Sequence, residues 1–187
     1  MTEDDPLAGA RRILVYGVTG SGKSTMAATI GQATSLPYHA VDDLMWEADW
    51  TPVAVDEQRR RITAICAEPE WVLDSAYGKW RDVVLARVEL IVALDYPRWL
   101  SMWRLIRRTF HRVVTREPVC NGNRESLRSA LSRRSIIWWH VKSFRPKRER
   151  MRAWERAADG PRVVRFGSPR QAREWLDRLS RPRPPRE

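Results

Sequence analysis

The chain has 187 residues and carries 34 basic against 23 acidic side chains, a formal net charge of +11. That length suits one domain with a full core, and no run of 18 apolar residues exists to cross a membrane. The start is acidic rather than apolar, unlike a signal peptide. Two distant cysteines, Cys66 and Cys120, suit neither a disulfide framework nor a zinc site, so a cytoplasmic protein is expected.

Residues 1–10 read as a flexible tail, 11–180 as the domain, and the Pro/Arg-rich 181–187 as a disordered end. Ile13-Leu14-Val15-Tyr16 is a short apolar run with the character of a buried strand. It leads into Gly17-Val18-Thr19-Gly20-Ser21-Gly22-Lys23-Ser24, which reads G-x-x-x-x-G-K-S, and a helix follows through Met26 to Ile30. Strand, glycine-rich turn and helix form an anion cradle in which backbone N–H groups and the helix N-terminus point at phosphate. The expected nucleotide ligands are Gly17, Thr19, Gly20, Ser21, Gly22, Lys23, Ser24 and Thr25. Lys23 would reach the β- and γ-phosphates of ATP and the Ser24 hydroxyl would hold Mg2+.

A second strand is expected over Leu36 to Val41, ending at Asp42-Asp43. A helix should run from Asp56 to Ala67. Trp71 to Asp74 reads as a third strand whose terminal carboxylate, Asp74, is the candidate for ordering magnesium. Asp42 is the candidate to receive an acceptor's proton, and Trp46 and Trp50 follow closely enough to wall an acceptor pocket. Lys79 to Val88 looks helical, and Leu90 to Asp95 is the clearest buried strand.

Pro97 opens a long helix to about Val114, proline being well placed at the first helical position. Trp99, Trp103, Ile106, Phe110 and Val113 recur at helical spacing and are expected to be core. Arg104, Arg108 and Arg112 recur every four residues on a different face, suited to bidentate phosphate contacts. Their place before the break at 115–123, with Pro118 and Gly122, points to a lid over about 107–126. Helices over Arg124 to Phe144 and Lys147 to Ala158, a strand over Arg162 to Phe166 and a helix capped by Ser168 complete the chain. Strands alternating with helices imply a parallel sheet covered on both faces. His39, His111 and His140 lack metal-ligand partners at useful spacing.

Charge is unevenly spread: residues 1–96 hold 9 basic and 15 acidic side chains, residues 97–187 hold 25 and 8. A basic half can meet a polyanion. A nucleic-acid-associated ATPase or regulatory protein is therefore the alternative to a kinase of small acceptors, though no helix-turn-helix or RNA-binding motif is present.

Several segments together resemble the adenylate kinase-like P-loop proteins of bacteria, closest to those labelled DNA topology modulation or FlaR-type. These are GVTGSGKST at 17–25, the D-x-L-x-W pattern of Asp42 to Trp46 with Trp50 beyond, WVLDSAY at 71–77, LDYPRWLSMWRLIRR at 94–108 and GNRES at 122–126. The resemblance implies a three-layer α/β/α nucleoside monophosphate kinase-like fold with five parallel strands and a short helical lid. It also implies ATP and Mg2+ as cofactors, a small phosphoryl acceptor as partner, Asp74 on the magnesium side, Asp42 at the acceptor and the arginines after Trp103 in the lid. Asp74-Ser75-Ala76-Tyr77 departs from the glycine and arginine that adenylate kinases proper carry there, so the acceptor stays open among nucleotide, nucleoside and other hydroxylated metabolites. Nothing in the chain fixes its oligomeric state.

Overall fold

The computed structural model describes residues 6–123 and 136–180. Its elements are β1 (Arg12–Gly17), α1 (Lys23–Thr34), β2 (Tyr38–His39), α2 (Val41–Met45), a 3-10 turn (Ala48–Trp50), α3 (Val55–Ala67), β3 (Trp71–Leu73), α4 (Arg81–Leu85), β4 (Leu90–Leu94), α5 (Arg98–Thr115), α6 (Ile136–Arg156), β5 (Arg162–Phe166) and α7 (Pro169–Leu179). The five strands form one sheet in the order β2-β3-β1-β4-β5, and every pairing is parallel. This is the expected fold class. The chain moves outward from β1 first to one side and later to the other. The carboxyl end of β1, where the glycine-rich turn lies, is therefore the topological switch point at which such sheets bind ligands.

Alternation along β1 divides the core in two. Ile13 and Val15 face α1 and α7, with Met26, Ile30 and Trp175. Leu14 and Tyr16 face the other layer, with Ile62 of α3, Trp80 and Met151 of α6. Leu7, in the segment expected to be a tail, is buried with the first cluster. Ser168 caps α7 with a full capping box, its side chain accepting from Gln171 N and the Gln171 side chain accepting from Ser168 N, as expected.

Four expectations need correction. The second strand covers only Tyr38–His39, and Asp42 and Asp43 lie in the first turn of α2, where carboxylates complement the helix N-terminus. The fourth helix is trimmed to Arg81–Leu85. Pro146 does not divide two helices: α6 passes through it without a break. Phe144 and Met151 are buried on either side of the proline, so burial of that face outweighs one lost backbone hydrogen bond. The last correction is the largest. The residues of α5 that are buried are Ser101, Leu105 and Thr109, whereas Trp99, Trp103, Ile106 and Phe110 are exposed. Val113 is half-buried and Val114 exposed. The reason is close approach. A methyl group at Gly20 would lie inside the Ser101 carbonyl oxygen and 3.0 Å from Leu105 Cβ, so the face against the glycine-rich turn must be small and the tryptophans turn outward. The expected lid lies only partly within the described residues; Arg124 to Ser126 and the expected helix start at Arg124 lie outside them.

Candidate active site

The turn after β1 is built for an anion. Gly20 and Gly22 sit at φ +81° and +92°, a region open to glycine at little cost. A methyl group at Gly17 would lie 2.7 Å from Ser21 Oγ and 3.0 Å from the Leu94 carbonyl. Ser21 is buried and folds back on the loop, its N and Oγ donating to Val18 O at 3.2 and 2.8 Å. Helix α1 begins at Lys23 with no side-chain cap and no acidic residue in its first turn, which leaves its amide groups and positive end for a ligand.

Lys23 Nζ donates to Val18 O at 3.1 Å and forms no ion pair with any described carboxylate. Burial lowers its pKa, partly offset by Asp42 and Asp74, with Arg108 adding to the fall. A half-buried cation at an uncapped helix N-terminus is what a phosphate would neutralise, so the residues present fit a nucleoside triphosphate. Thr19 is half-buried, while Ser24 and Thr25 are exposed beside it.

Asp74 is buried just past β3. Its Oδ2 accepts from the Tyr38 hydroxyl and its Oδ1 from Val41 N, each at 3.0 Å. Burial first, then Asp74, raise the Tyr38 pKa, while a hydrogen bond to Ser24 opposes them. The Tyr38 hydroxyl thus lies between Ser24 and Asp74, the two expected metal-side residues. Among the described residues no cluster of three or more His, Cys, Asp or Glu could hold a metal by itself. A magnesium ion here would take its ligands from Ser24, phosphate and water, with Asp74 behind them, and the donor set of one hydroxyl and one carboxylate fits that hard cation.

Asp42 heads α2 on the far side of the cleft. Its carboxylate accepts from the Tyr77 hydroxyl, whose pKa is raised by burial and then by Asp42. The segment after α5 fastens onto this edge: Cys120 Sγ donates to Asp42 O at 3.0 Å, and Asn121 Nδ2 donates to Asp43 O and Trp46 O at 2.8 and 2.7 Å. Asn123 is buried, donates to Glu47 O at 2.8 Å and accepts from Trp50 N at 2.7 Å. Trp46 and Trp50 meet edge to face with centroids 6.0 Å apart. Asp49, Trp50, Cys120 and Asn121 all have φ between 43° and 60°, so this junction concentrates non-glycine residues in the left-handed region. The aromatic wall and the base of the expected lid are therefore one hydrogen-bonded unit.

The arginines of α5 take the side of the helix facing this cleft. Arg104 Nη1 comes within 3.9 Å of where a methyl group on Gly22 would stand, and its guanidinium lies over the Tyr96 ring at 5.6 Å. Arg108 is close enough to depress Lys23, and Arg112 close enough to act on Cys120. Three successive turns of α5 thus span from the glycine-rich turn to the Asp42 edge.

Sequence reasoning missed Tyr38, Tyr77 and a second lysine. Lys147 of α6 is half-buried, donates to Gly17 O at 3.2 Å and lies over the Tyr16 ring at 5.5 Å. Burial and then Lys23 push its pKa down to about 7, with Asp42 opposing and Arg150 and Arg81 adding to the fall. Arg150 donates to the Tyr16 hydroxyl at 2.9 Å. The scarcity of lysine, four residues against thirty arginines, was the available signal for Lys147; nothing in the sequence marks the tyrosines. His140 is fully buried and its Nε2 lies 2.9 Å from Ser101 Oγ, which fastens α6 to the turn of α5 that carries the glycine-rich loop.

No family model and no curated protein matches the chain. Solved structures do. A gluconokinase from Sinorhizobium meliloti 1021 superposes with a TM-score of 0.52 at 19% identity, covering 91% of each chain. A sugar kinase from Janibacter sp. HTCC2649 superposes at 0.50 with 18% identity, covering 91% of this chain and 96% of that one. With the five-stranded parallel sheet and the loop at its switch point, these likenesses establish that the chain has the P-loop kinase fold.

Proposed function

We propose that this protein is an ATP- and magnesium-dependent kinase that moves the γ-phosphoryl group of ATP to a small hydroxylated acceptor such as a sugar acid, nucleoside or nucleotide. The observation that carries the reading is Lys23, a half-buried cation with no ion pair to a described carboxylate at an uncapped helix N-terminus, with the Tyr77-held carboxylate of Asp42 near enough to act on it. The two structural neighbours are named for small hydroxylated acceptors, which supports the acceptor class.

In this reading the loop amides from Gly17 to Thr25 and the Lys23 ammonium hold the β- and γ-phosphates. Arg104 and Arg108 lie over the phosphates from α5, and Lys147 approaches from α6, so charge developing on the transferring group meets fixed cations from three elements. Arg112 belongs to the acceptor side. The acceptor oxygen attacks the γ-phosphorus, its proton passes to Asp42, and the bond to the β-γ bridging oxygen breaks to release ADP. Tyr77 orients that carboxylate. Magnesium, when bound, would neutralise phosphate charge; Ser24 and Asp74, the latter held by Tyr38 and Val41 N, are the residues that would hold it. Trp46 and Trp50 wall the acceptor and exclude water.

The test is ADP formation from Mg-ATP with a panel of sugars, sugar acids, nucleosides and nucleoside monophosphates, with Lys23→Ala as control and duplex and single-stranded DNA in parallel wells. Turnover that depends on one acceptor and is lost in Lys23→Ala supports the reading. Turnover that ignores every acceptor and rises with DNA overturns it.

A further inference from the structure

Helix α5 turns its apolar face away from its own protein. Trp99, Phe110 and Val114 are 70%, 64% and 65% exposed, with Trp103 and Ile106 between them. Their 4-3-4-4 spacing makes a stripe about 22 Å long. It nearly repeats the seam by which one helix packs on another. The partner helix for such a seam is missing from the described fold. Helix α6 packs on α5 from the other side, through His140 against Ser101 and Phe144 under Arg98.

The extent and chemistry of this surface indicate what covers it. Taking exposed fractions of ordinary residue areas, the five-residue stripe presents about 600 Å² of apolar surface, at the top of the range for the largest patch on a monomer. Two such faces would bury about 1,200 Å² together, the lower end of the range for a stable pair of chains. Helix α5 has no acidic residue, and Arg107 flanks the stripe with its guanidinium over the Trp103 ring at 5.5 Å. Aromatic centres with arginine at the rim are the composition of homodimer interfaces.

We propose that this face is a dimer interface in which α5 packs antiparallel on α5 of a second copy of this chain. A two-fold contact is self-complementary. The stripe is centred near Ile106, so the axis passes there and Trp99 meets Val114 of the partner subunit. The same helix carries Arg104 and Arg108 on its opposite side, so pairing also fixes the element that brings those cations to the glycine-rich turn.

The mass of the full chain in solution tests this, by sedimentation equilibrium from micromolar concentration to about 100 µM. The expected mass is twice the 21.9 kDa of one chain. Trp103→Glu and Phe110→Glu, each read separately with thermal unfolding as the check on folding, should weaken the dimer at least about thirtyfold, as loss of a central aromatic does. Val55→Glu, a partly exposed apolar site on α3, should leave the mass unchanged. A monomer at every concentration overturns the proposal, also if the stripe proves to bind anionic vesicles or single-stranded DNA. A dimer indifferent to both substitutions overturns it as well.

Discussion

Replacing Gly20 by alanine tests whether α5 and the glycine-rich turn are one mechanical unit. Two costs arise at that position. The residue sits at φ +81°, where an L side chain costs about 1–2 kcal/mol. The added methyl would also overlap the Ser101 carbonyl oxygen and press Leu105 Cβ at 3.0 Å. Both belong to a rigid helix, so the contact cannot relax by a rotamer change, and overpacking of this kind costs about 1–3 kcal/mol. Together they predict a loss of about 2–5 kcal/mol in denaturant unfolding at constant m-value. Nucleotide affinity should fall in the same variant, because α5 carries Arg104 and Arg108. Gly78→Ala is the control: nothing lies within 4 Å of that added methyl and its φ is not in the left-handed region, so its effect should stay within about 0.5 kcal/mol. A Gly20→Ala protein as stable as the Gly78→Ala control would refute the close packing of α5 on the loop.

Three further outcomes follow from the geometry. The side chain of Asp95 is 2% exposed, with Arg148, Arg152 and Arg165 at 2.8, 3.3 and 3.1 Å. Asp95→Ala should cost about 2–3 kcal/mol in urea unfolding, the low end for a broken buried pair because the arginines reach water; a loss under about 0.5 kcal/mol would show that the cluster contributes nothing. Burial, with Arg98, Lys147 and Lys23 nearby, lowers the His140 pKa from 6.5 to about 4, so the unfolded chain takes up the proton first. The stability held above pH 6.5 should decline as pH falls toward 4, and His140→Gln should flatten that slope in thermal melts. The Lys147 pKa near 7 should rise when phosphate arrives beside it. Calorimetry at pH 8 in two buffers of different ionisation enthalpy should then show proton uptake on ATP binding, absent in Lys147→Met.

The sheet was legible because β1 and β4 are nearly continuous apolar runs, as strands buried on both faces must be, and because the G-x-x-x-x-G-K-S loop announces its own strand and helix. The place of Asp74 just past a strand and of Arg104, Arg108 and Arg112 on one side of α5 could be read for a related reason: strand ends and four-residue repeats fix which residues share an edge or a face. Asp42 could not, because it lies in the first turn of α2 and not at a strand end. The sequence could not say which face of α5 turns inward. The hydrophobic periodicity was real, but it does not say which surface a helix meets, and the glycine-rich turn packs on the face of α5 that carries Ser101 and Leu105. Lys147 and the tyrosines escaped for another reason. Their roles depend on contacts distant in sequence: Lys147 reaches Gly17 across 130 residues, Tyr38 reaches Asp74 from a two-residue strand, and Tyr77 reaches Asp42 from a loop. Pro146 misled in the usual direction, since local backbone preference yields where burial on both sides holds a helix together.

The most direct test of the central claim follows the γ-phosphorus itself. Phosphorus NMR of the protein with Mg-ATP and a pool of sugars, sugar acids and nucleosides should show the γ resonance decline as a phosphomonoester of one acceptor and ADP grow in equal measure, with no change in Lys23→Ala. Inorganic phosphate as the sole product, or a γ resonance untouched by any acceptor, would contradict the account.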